Sequence, residues 1–318
     1  MATRTPLSTA DVAPWLTALG RDTEGLELVP VEAGTVNTST LARLRSGESL
    51  FLRLYEQQGL AGAEAEARLL AELALRGVPT PPPLATPGTP GACVGIAKGK
   101  PLVAFPFIAG ATLRQSEITP SHASQVGEAL ARLHLASGGL ALPADRFSVH
   151  ALTALARAFG DTGDDEARAL APWLVRELEA AQDARDPSLP TGLLHADLFR
   201  DNVLFSGDRL AALLDFESCH GGVFMYDIAV VLLSWCYGSR LDTELARAVL
   251  AGYESVRRLD EREWRGLHAE ARFACLRFLT TRIADQTWRV GKHPRRFQER
   301  LGALDDLGPV GLVERVRS

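Results

Sequence analysis

The chain has 318 residues, of which 46% are hydrophobic and 23% charged, and this composition excludes a disordered or collagen-like protein. The formal net charge of −5 gives no basic excess for binding nucleic acid or an anionic membrane surface. The four cysteines form no Cys-x-x-Cys pair, which argues against a zinc site or a disulfide framework and favours a reducing compartment.

The N-terminal residues have no apolar core of the kind found in a signal peptide. No apolar run approaches the roughly 20 residues that cross a bilayer. We therefore expect a cytoplasmic protein that binds neither nucleic acid nor membrane. Its length suggests about two domains.

The first predicted domain, 1–108, is a small antiparallel sheet with one helix. A run rich in Ala, Leu and Glu over 59–76 predicts the helix, which Gly77 and Pro79 end. Apolar runs separated by turn residues predict five strands, at 26–33, 36–44, 49–55, 92–97 and 101–108.

The second predicted domain, 109–318, is mostly helical and contains one strand hairpin, 203–205 with 210–215, that turns at Gly207-Asp208. A β-rich lobe followed by an α-rich lobe predicts an α+β, bilobal, protein-kinase-like fold. Helical patterns cover six segments, at 119–136, 149–159, 165–185, 227–236, 242–257 and 261–288.

The segment His195-Ala-Asp197-Leu-Phe-Arg-Asp-Asn202 fits H-x-D-x-x-x-x-N, the catalytic-loop pattern of protein kinases. The spacing suits phosphoryl transfer, because one carboxylate must meet the acceptor hydroxyl while an amide turns back to a metal ion. It predicts that Asp197 receives the hydroxyl proton and that Asn202 binds Mg²⁺. The alternative is an acidic loop without a catalytic role.

An apolar strand carries Asp215-Phe-Glu217 to its end, in the place and form of the kinase D-F-G segment but with Glu in place of Gly. Mg²⁺ takes few protein ligands and completes its shell with phosphate and water oxygens. We predict that Asn202 and Asp215 hold this ion. Glu217 is either a further metal ligand or a solvated acid.

The alternating strand Phe51-Leu52-Arg53-Leu54-Tyr55 contains a basic residue. In protein kinases a strand lysine at this place contacts the α- and β-phosphates of ATP and pairs with a helix glutamate. Arg53 and Glu66 are predicted to fill these two roles. The alternative for Arg53 is an edge position facing water.

The remaining nucleotide contacts are predicted on backbone and small polar groups. The turn around Gly34 has one glycine rather than the pattern G-x-G-x-x-G, but its N–H groups and the Asn37 side chain suit phosphates. Without that role the segment is a β-turn. The backbone of Phe107 and Ile108 is predicted to hold the adenine ring.

Together these motifs resemble the aminoglycoside phosphotransferase and choline kinase superfamily, the small-molecule relatives of protein kinases. The Tyr226-Asp227-Ile228-Ala229 segment supports the resemblance, and Asp227 is predicted to cap its helix or to brace the catalytic loop. Within the superfamily the chain is most similar to the homoserine kinases. The similar stretches are Thr5-Pro6-Leu7-Ser8, Gly34…Asn37-Thr38, 128–135, 195–205, Arg277-Phe278…Arg282…Asp285 and 293–297.

This resemblance implies an ATP- and Mg²⁺-dependent transfer of phosphate to a small hydroxylated metabolite, L-homoserine, in threonine biosynthesis. It further implies that Arg282 and Asp285 meet the carboxylate and ammonium of the substrate from one face of the last predicted helix.

Two features depart from the homoserine branch. The Asp215-Phe-Glu217 form and Arg53 in its strand look more like choline kinases. A choline, ethanolamine or aminoglycoside kinase therefore remains an alternative, as does a non-catalytic nucleotide-binding module.

Two other polar features have plainer interpretations. His134, on an apolar helix face, is predicted to be a core histidine. A basic run near the C-terminus is interpreted as a solvated face, or else as a contact for an anionic substrate; it comprises Arg289, Lys292, Arg295, Arg296 and Arg300.

Overall fold

The computed structural model describes residues 5–31, 36–161, 164–285 and 294–317. The chain divides into two compact units. The first contains 1–111 and 211–217, and the second contains 112–210 and 218–318. Within the described residues, no helix combines the length and apolarity that crossing a membrane requires.

The first unit is built on a five-stranded antiparallel sheet in the order β1-β2-β3-β5-β4. One row of β3 side chains, Leu50, Leu52 and Leu54, is buried in the core of this unit, as the alternating sequence predicts. The strands are β1 (Glu27–Val31), β2 (Thr38–Arg43), β3 (Ser49–Leu54), β4 (Val94–Ala97) and β5 (Lys100–Pro106).

Two helices pack with this sheet. Helix α2 (Leu60–Leu75) is the predicted one, whereas α1 (Thr9–Ala18) was not predicted. A capping box between Ser8 and Asp11 starts α1. Pro14 inside the helix obscured the pattern in the sequence. The buried face of α1 joins the sheet core.

The second unit is mostly helical. Its α9 was not predicted, because its arginines were interpreted as a basic run, although Phe297, Leu301 and Leu304 are buried at helical spacing. A bend at Gly308 interrupts this helix. The helices are α3 (Pro120–Ala136), α4 (Val149–Arg157), α5 (Asp165–Ala184), α6 (Phe224–Trp235), α7 (Thr243–Val256), α8 (Glu261–Ala284) and α9 (Arg295–Arg317).

Two helix boundaries differ from the predictions at places that matter for the site. Helix α6 starts at Phe224 with Val223 as its N-cap, so Asp227 is not a cap. Helix α8 ends at Ala284 with Asp285 as its C-cap, short of the predicted end at residue 288.

Two short strand pairs complete the structure. The predicted hairpin is β7 (Val203–Ser206) with β8 (Arg209–Leu213), and an unpredicted pair joins β6 (Thr191–Leu194) to β9 (His220–Val223). Glycines in these strands disguised the pair, because glycine is depleted in strands. Gly192 lies opposite Gly222. A Cβ on Gly192 would meet the Phe224 ring at 2.6 Å.

Helices α3 and α7 approach at two glycines. A Cβ on Gly127 would lie 2.0 Å from the Val249 carbonyl oxygen, and one on Gly252 would lie 2.0 Å from that of Ser124. Only glycine permits this backbone contact. The crossing brings Tyr253 of α7 to His134 of α3.

Candidate active site

The predicted catalytic loop follows β6 directly and is held in place by Asp227. Asp227 Oδ2 accepts a hydrogen bond from the His195 N–H at 2.6 Å, and Oδ1 accepts one from the Ala196 N–H at 2.7 Å. Ala196 has φ of 62°, a left-handed conformation that costs a non-glycine residue about 1–2 kcal/mol. The two charge-assisted bonds offset this cost, and the predicted bracing role of Asp227 is confirmed.

The brace extends through the core to α7. His134 Nε2 lies 3.3 Å from Asp227 Oδ2, and His134 Nδ1 lies 2.7 Å from the Tyr253 hydroxyl. Burial opposes the charge on Asp227, but the bonds from His134 and His195 hold the pKa of this carboxyl below its usual value. Burial lowers the pKa of His134. His134 is thus the core histidine that the sequence predicts.

Asp197 is presented at the surface of this loop, with its side chain 33% exposed. Asn202 Nδ2 donates to the Asp197 carbonyl oxygen at 2.7 Å. Because the amide nitrogen is used in this way, the Asn202 carbonyl oxygen is the end that suits a cation. Asn202 Nδ2 also lies 3.4 Å from Asp197 Oδ2, so the possible metal ligand is directly beside the predicted base.

Arg277 of α8 is a neighbour of Asp197 to which the sequence gave no role of its own. Its Nη1 lies 3.7 Å from Asp197 Oδ1. The guanidinium is sandwiched between the rings of Phe147 and Phe278, with Cζ 4.0 and 3.9 Å from their centroids. An arginine between Leu276 and Phe278 in an apolar helix segment was the available signal.

In the first unit, Arg53 and Glu66 form the ion pair that the sequence predicts. Arg53 Nη1 lies 3.2 Å from Glu66 Oε1, and the Tyr55 hydroxyl donates to the same oxygen at 3.0 Å. Burial opposes the charge on Arg53, but the carboxylates of Asp215 and Glu66 outweigh it and raise the pKa of the guanidinium.

Asp215 follows β8 in a left-handed conformation with φ of 62°. Its Oδ1 is buried, and no hydrogen-bond partner is found for it among the described residues. A buried carboxylate oxygen of this kind fits a metal ligand. Among the described residues, no group of three His, Cys, Asp or Glu side chains is placed so that it could hold a metal ion; the predicted set pairs Asp215 and Glu217 with the amide of Asn202.

Asn37 is bonded within the chain at both ends of its amide. Its Nδ2 donates to Glu217 Oε1, and its Oδ1 accepts from the Glu56 N–H at 3.1 Å. Asn37 therefore holds Glu217 to the β2 end of the sheet. Gly34, predicted beside it in the phosphate turn, lies outside the described residues.

Glu56 is the centre of a polar cluster in the first unit. Its carboxylate accepts from the Thr5 N–H at 2.8 Å, from the Thr38 hydroxyl and from Lys100. Burial opposes its charge, but these bonds lower the pKa of Glu56 to about 2. Two stretches of the homoserine-kinase resemblance, at Thr5 and at Thr38, thus meet on one carboxylate.

The predicted adenine contacts lie just past β5. The Phe107 N–H donates to the Ser49 carbonyl at 3.1 Å, which extends the sheet. The Phe107 side chain is exposed and Ile108 is half-buried. The Phe107 carbonyl and the Ile108 backbone are the groups of this segment that suit a purine edge.

Arg282 and Asp285, predicted as a pair, have different neighbours. Arg282 Cζ lies 4.5 Å from the Phe297 ring centroid and 5.6 Å from that of Phe199. Asp285 is the exposed C-cap of α8, and it interacts electrostatically with Arg277 and Arg146. The end of α8 at Ala284 is one reason for this separation.

Arg282 also lines a cavity of about 300 Å³ in the second unit. Arg200, Arg296 and Arg300 share this lining, and we call the space the arginine cavity. Of the basic run, Arg296 and Arg300 face it, Arg295 lies near Glu166 instead, and residues 289 and 292 fall outside the described part of the chain.

Known proteins resemble this chain along almost its whole length. Residues 27–267 match the phosphotransferase enzyme family. A homoserine kinase of Nitrobacter winogradskyi is 34% identical over 97% of this chain and 98% of its own length. A homoserine kinase of Sinorhizobium fredii is 38% identical over 80% of this chain and 78% of its own.

Solved structures share the fold. A choline/ethanolamine kinase family protein from Mesorhizobium loti matches with a TM-score of 0.64 and 21% identity over 97% of each chain. Amicoumacin kinase hAmiN, in complex with AMP-PNP, Ca²⁺ and Ami, matches with a TM-score of 0.64 and 14% identity over 94% of this chain and 93% of its own. The predicted α+β, protein-kinase-like fold is confirmed.

Proposed function

Because the chain belongs to the phosphotransferase enzyme family, we propose that it transfers the γ-phosphoryl group of ATP to the hydroxyl of L-homoserine, forming O-phospho-L-homoserine for threonine biosynthesis. The observation that carries this proposal is the half-buried Asp197 on a loop braced by the fully buried Asp227. The homoserine kinases that are similar along the whole chain support the choice of acceptor.

Asp197 accepts a hydrogen bond from the acceptor hydroxyl and aligns its oxygen for attack. It receives the proton as the bond from this oxygen to the γ-phosphorus forms and the bond from that phosphorus to ADP breaks, a role that contributes about 10²–10⁴ in rate. Arg277, 3.7 Å away, keeps the carboxylate oriented. The rest of the catalysis is positioning and charge neutralisation.

Asn202, Asp215 and Glu217 would hold Mg²⁺, and Asn37 keeps Glu217 in place through its hydrogen bond. When bound, Mg²⁺ neutralises charge on the β- and γ-phosphate oxygens. The orphaned Asp215 oxygen supports this assignment.

Arg53 contacts the α- and β-phosphates of ATP. Glu66 fixes the position of Arg53, and the Tyr55 hydroxyl holds Glu66 in turn, because Arg53 and Tyr55 both contact Glu66 Oε1. Backbone N–H groups at Gly34 are proposed to bind the phosphates, and the Phe107 carbonyl and Ile108 backbone hold the adenine ring.

The acceptor's amino-acid end faces α8. Arg282 offers a planar fork that matches a carboxylate, and burial within the second unit strengthens the interaction. Asp285 is proposed to meet the ammonium group.

A panel of acceptors tests the proposal. L-homoserine, L-serine, choline, ethanolamine and an aminoglycoside are incubated with ATP and Mg²⁺, and ADP release is measured. We expect kcat/KM for L-homoserine to exceed that of every other acceptor by at least about 100-fold, a difference of about 2.7 kcal/mol. A preference for choline, ethanolamine or the aminoglycoside would replace the acceptor, and no turnover with any of them would contradict the activity.

A further inference from the structure

Four arginines from three separate parts of the second unit converge on the arginine cavity. Arg200 belongs to the catalytic loop, next to Phe199. Arg282 belongs to the last turn of α8. Arg296 and Arg300 lie one turn apart on α9, so both project from one face. The fold has therefore gathered like charges that are far apart in the sequence.

A second cavity of about 310 Å³ shares Arg200, Arg296 and Arg300 with the first. These three side chains stand at the junction of the two spaces. Within the described ranges none of the three forms an ion pair with a carboxylate. Together the cavities leave room for a small ligand and its hydration.

Two of the four guanidinium groups, those of Arg282 and Arg300, lie against aromatic rings. Phe297 is fully buried, and its centroid lies 4.5 Å from Arg282 Cζ and 5.1 Å from Arg300 Cζ. Arg300 Cζ also lies 5.4 Å from the Tyr237 ring centroid. Cation–π contacts of this kind orient a charged group without neutralising it.

The convergence has an electrostatic cost. Burial lowers the pKa of Arg282 to about 10, and Arg300 and Arg296 add to the shift; Asp197 and Asp201, a carboxylate that also lines the arginine cavity, oppose it. Burial likewise lowers the pKa of Arg300. Arginines in such surroundings are stabilised when an anion enters between them.

We propose that the arginine cavity binds the carboxylate of the acceptor, with Arg200, Arg296 and Arg300 acting beside Arg282. This inference rests on the proposed function and extends substrate recognition from α8 to α9 and the catalytic loop. Arg200 lies three residues after Asp197 in the same loop. An amino acid with a side-chain hydroxyl carries its carboxylate and its reacting group at opposite ends, as this arrangement requires.

The test compares L-homoserine with L-homoserinamide, in which a neutral amide replaces the carboxylate. The variants are Arg296→Gln, Arg300→Gln and, as the matched control, Arg295→Gln. Arg295 precedes Arg296 on the same helix and is exposed like it, but its Nη2 lies 3.8 Å from Glu166 Oε1. It also lines a different cavity.

The wild-type protein should prefer the acid to the amide at least tenfold in kcat/KM. Arg296→Gln and Arg300→Gln should each raise KM for the acid about tenfold, about 1.4 kcal/mol. KM for ATP, kcat and KM for the amide should stay within twofold, and Arg295→Gln should change nothing. This split distinguishes carboxylate binding from a structural role.

Equal losses for acid and amide, or an unchanged KM for the acid in both cavity variants, would overturn the inference while leaving the proposed function intact. If Arg300→Gln fails to fold, the exposed Arg296→Gln decides. If L-homoserine is not a substrate, the same comparison uses the acceptor that the panel identifies, and an acceptor without an anionic group overturns the inference. If no acceptor reacts, calorimetry with L-homoserine decides, and the absence of binding overturns it.

Discussion

Phe199 and Arg200 belong both to the catalytic loop and to the lining of the arginine cavity, but the two regions differ in how their charged side chains are paired. In the loop, the buried carboxylate of Asp227 accepts hydrogen bonds from two backbone N–H groups and lies within reach of His134. In the cavity, Arg296 and Arg300 face a like charge on Arg282. Charges matched inside the chain stabilise the fold, whereas gathered like charges indicate a place for a ligand.

The largest effect is expected where the braced loop meets the substrate. Asp197→Asn should lower kcat about 10²–10⁴-fold, because the amide cannot accept the hydroxyl proton. The affinity for ATP, measured by calorimetry, should change little. A variant that keeps the wild-type kcat would show that Asp197 is not the base, and that the loop is braced for another purpose.

Replacing the buried carboxylate of Asp227 should lower the stability of the protein. Asp227→Asn turns an amide NH₂ toward backbone donors at His195 or Ala196, and the free energy of unfolding should fall by about 3 kcal/mol. Urea unfolding measures it. Asp208→Asn, at a side chain that is 96% exposed, serves as the control and should stay within about 0.5 kcal/mol. Equal stability of both variants would remove the basis of the comparison.

Glu56, whose charge is stabilised by hydrogen bonds within the first unit, should make the free energy of unfolding depend on pH. The pKa of Glu56 is about 2 in the folded chain, below its ordinary value near 4.5. Its contribution to stability is therefore complete at neutral pH and is lost as pH falls from about 5 toward 2. Glu56→Gln should lower the free energy of unfolding by about 2 kcal/mol at pH 7 and by progressively less in acid.

Urea unfolding at pH 7, 5 and 3 measures this difference. Glu64→Gln, at a more exposed acid on α2, should cost less than about 0.5 kcal/mol. A Glu56→Gln effect that does not change with pH would mean that its hydrogen bonds act without its charge.

The Arg53–Glu66 pair should behave as one unit toward the nucleotide. Arg53→Ala and Glu66→Ala should each raise KM for ATP, and the double variant should be little worse than either single one. We expect a coupling energy of about 1 kcal/mol. Additive losses in this double-mutant cycle would show that the two side chains share no task.

The smallest change in the free energy of unfolding is expected for a variant in the arginine cavity. Arg296 is exposed and faces other arginines, so Arg296→Gln should leave the free energy of unfolding within about 0.5 kcal/mol of wild type or raise it slightly. Urea unfolding measures the change. A loss as large as that of Asp227→Asn would mean that the cavity arginines stabilise the fold after all.

Local patterns predicted much of the fold. Alternation in 49–55 and the Ala- and Leu-rich run at 59–76 gave β3 and α2, because each follows the period of its own element. The local sequences of β9 and α1 do not predict these elements, because β9 is rich in glycine and α1 contains a proline. Their structure depends on close packing against residues distant in the sequence.

The candidate site divides in the same way. Asp197, Asn202 and Asp215 belong to motifs with fixed spacing, and such motifs can be recognised in the sequence alone. The arginine cavity joins residue 200 to residues 282, 296 and 300, and only tertiary structure brings them together. Arg277 belongs to a stretch similar to homoserine kinases but was assigned no role, because only the tertiary structure shows that it lies 3.7 Å from Asp197.

The crossing of α3 and α7 at Gly127 and Gly252 sets a limit on how this sequence can evolve. Gly252 directly precedes Tyr253, which reaches the catalytic loop through His134 and Asp227. A single added methyl group at either glycine would meet a backbone oxygen at 2.0 Å and push the helices apart. Under the proposed assignment, exchange of the cavity arginines alters which acceptor binds, whereas a change at the crossing loosens the loop for every acceptor at once.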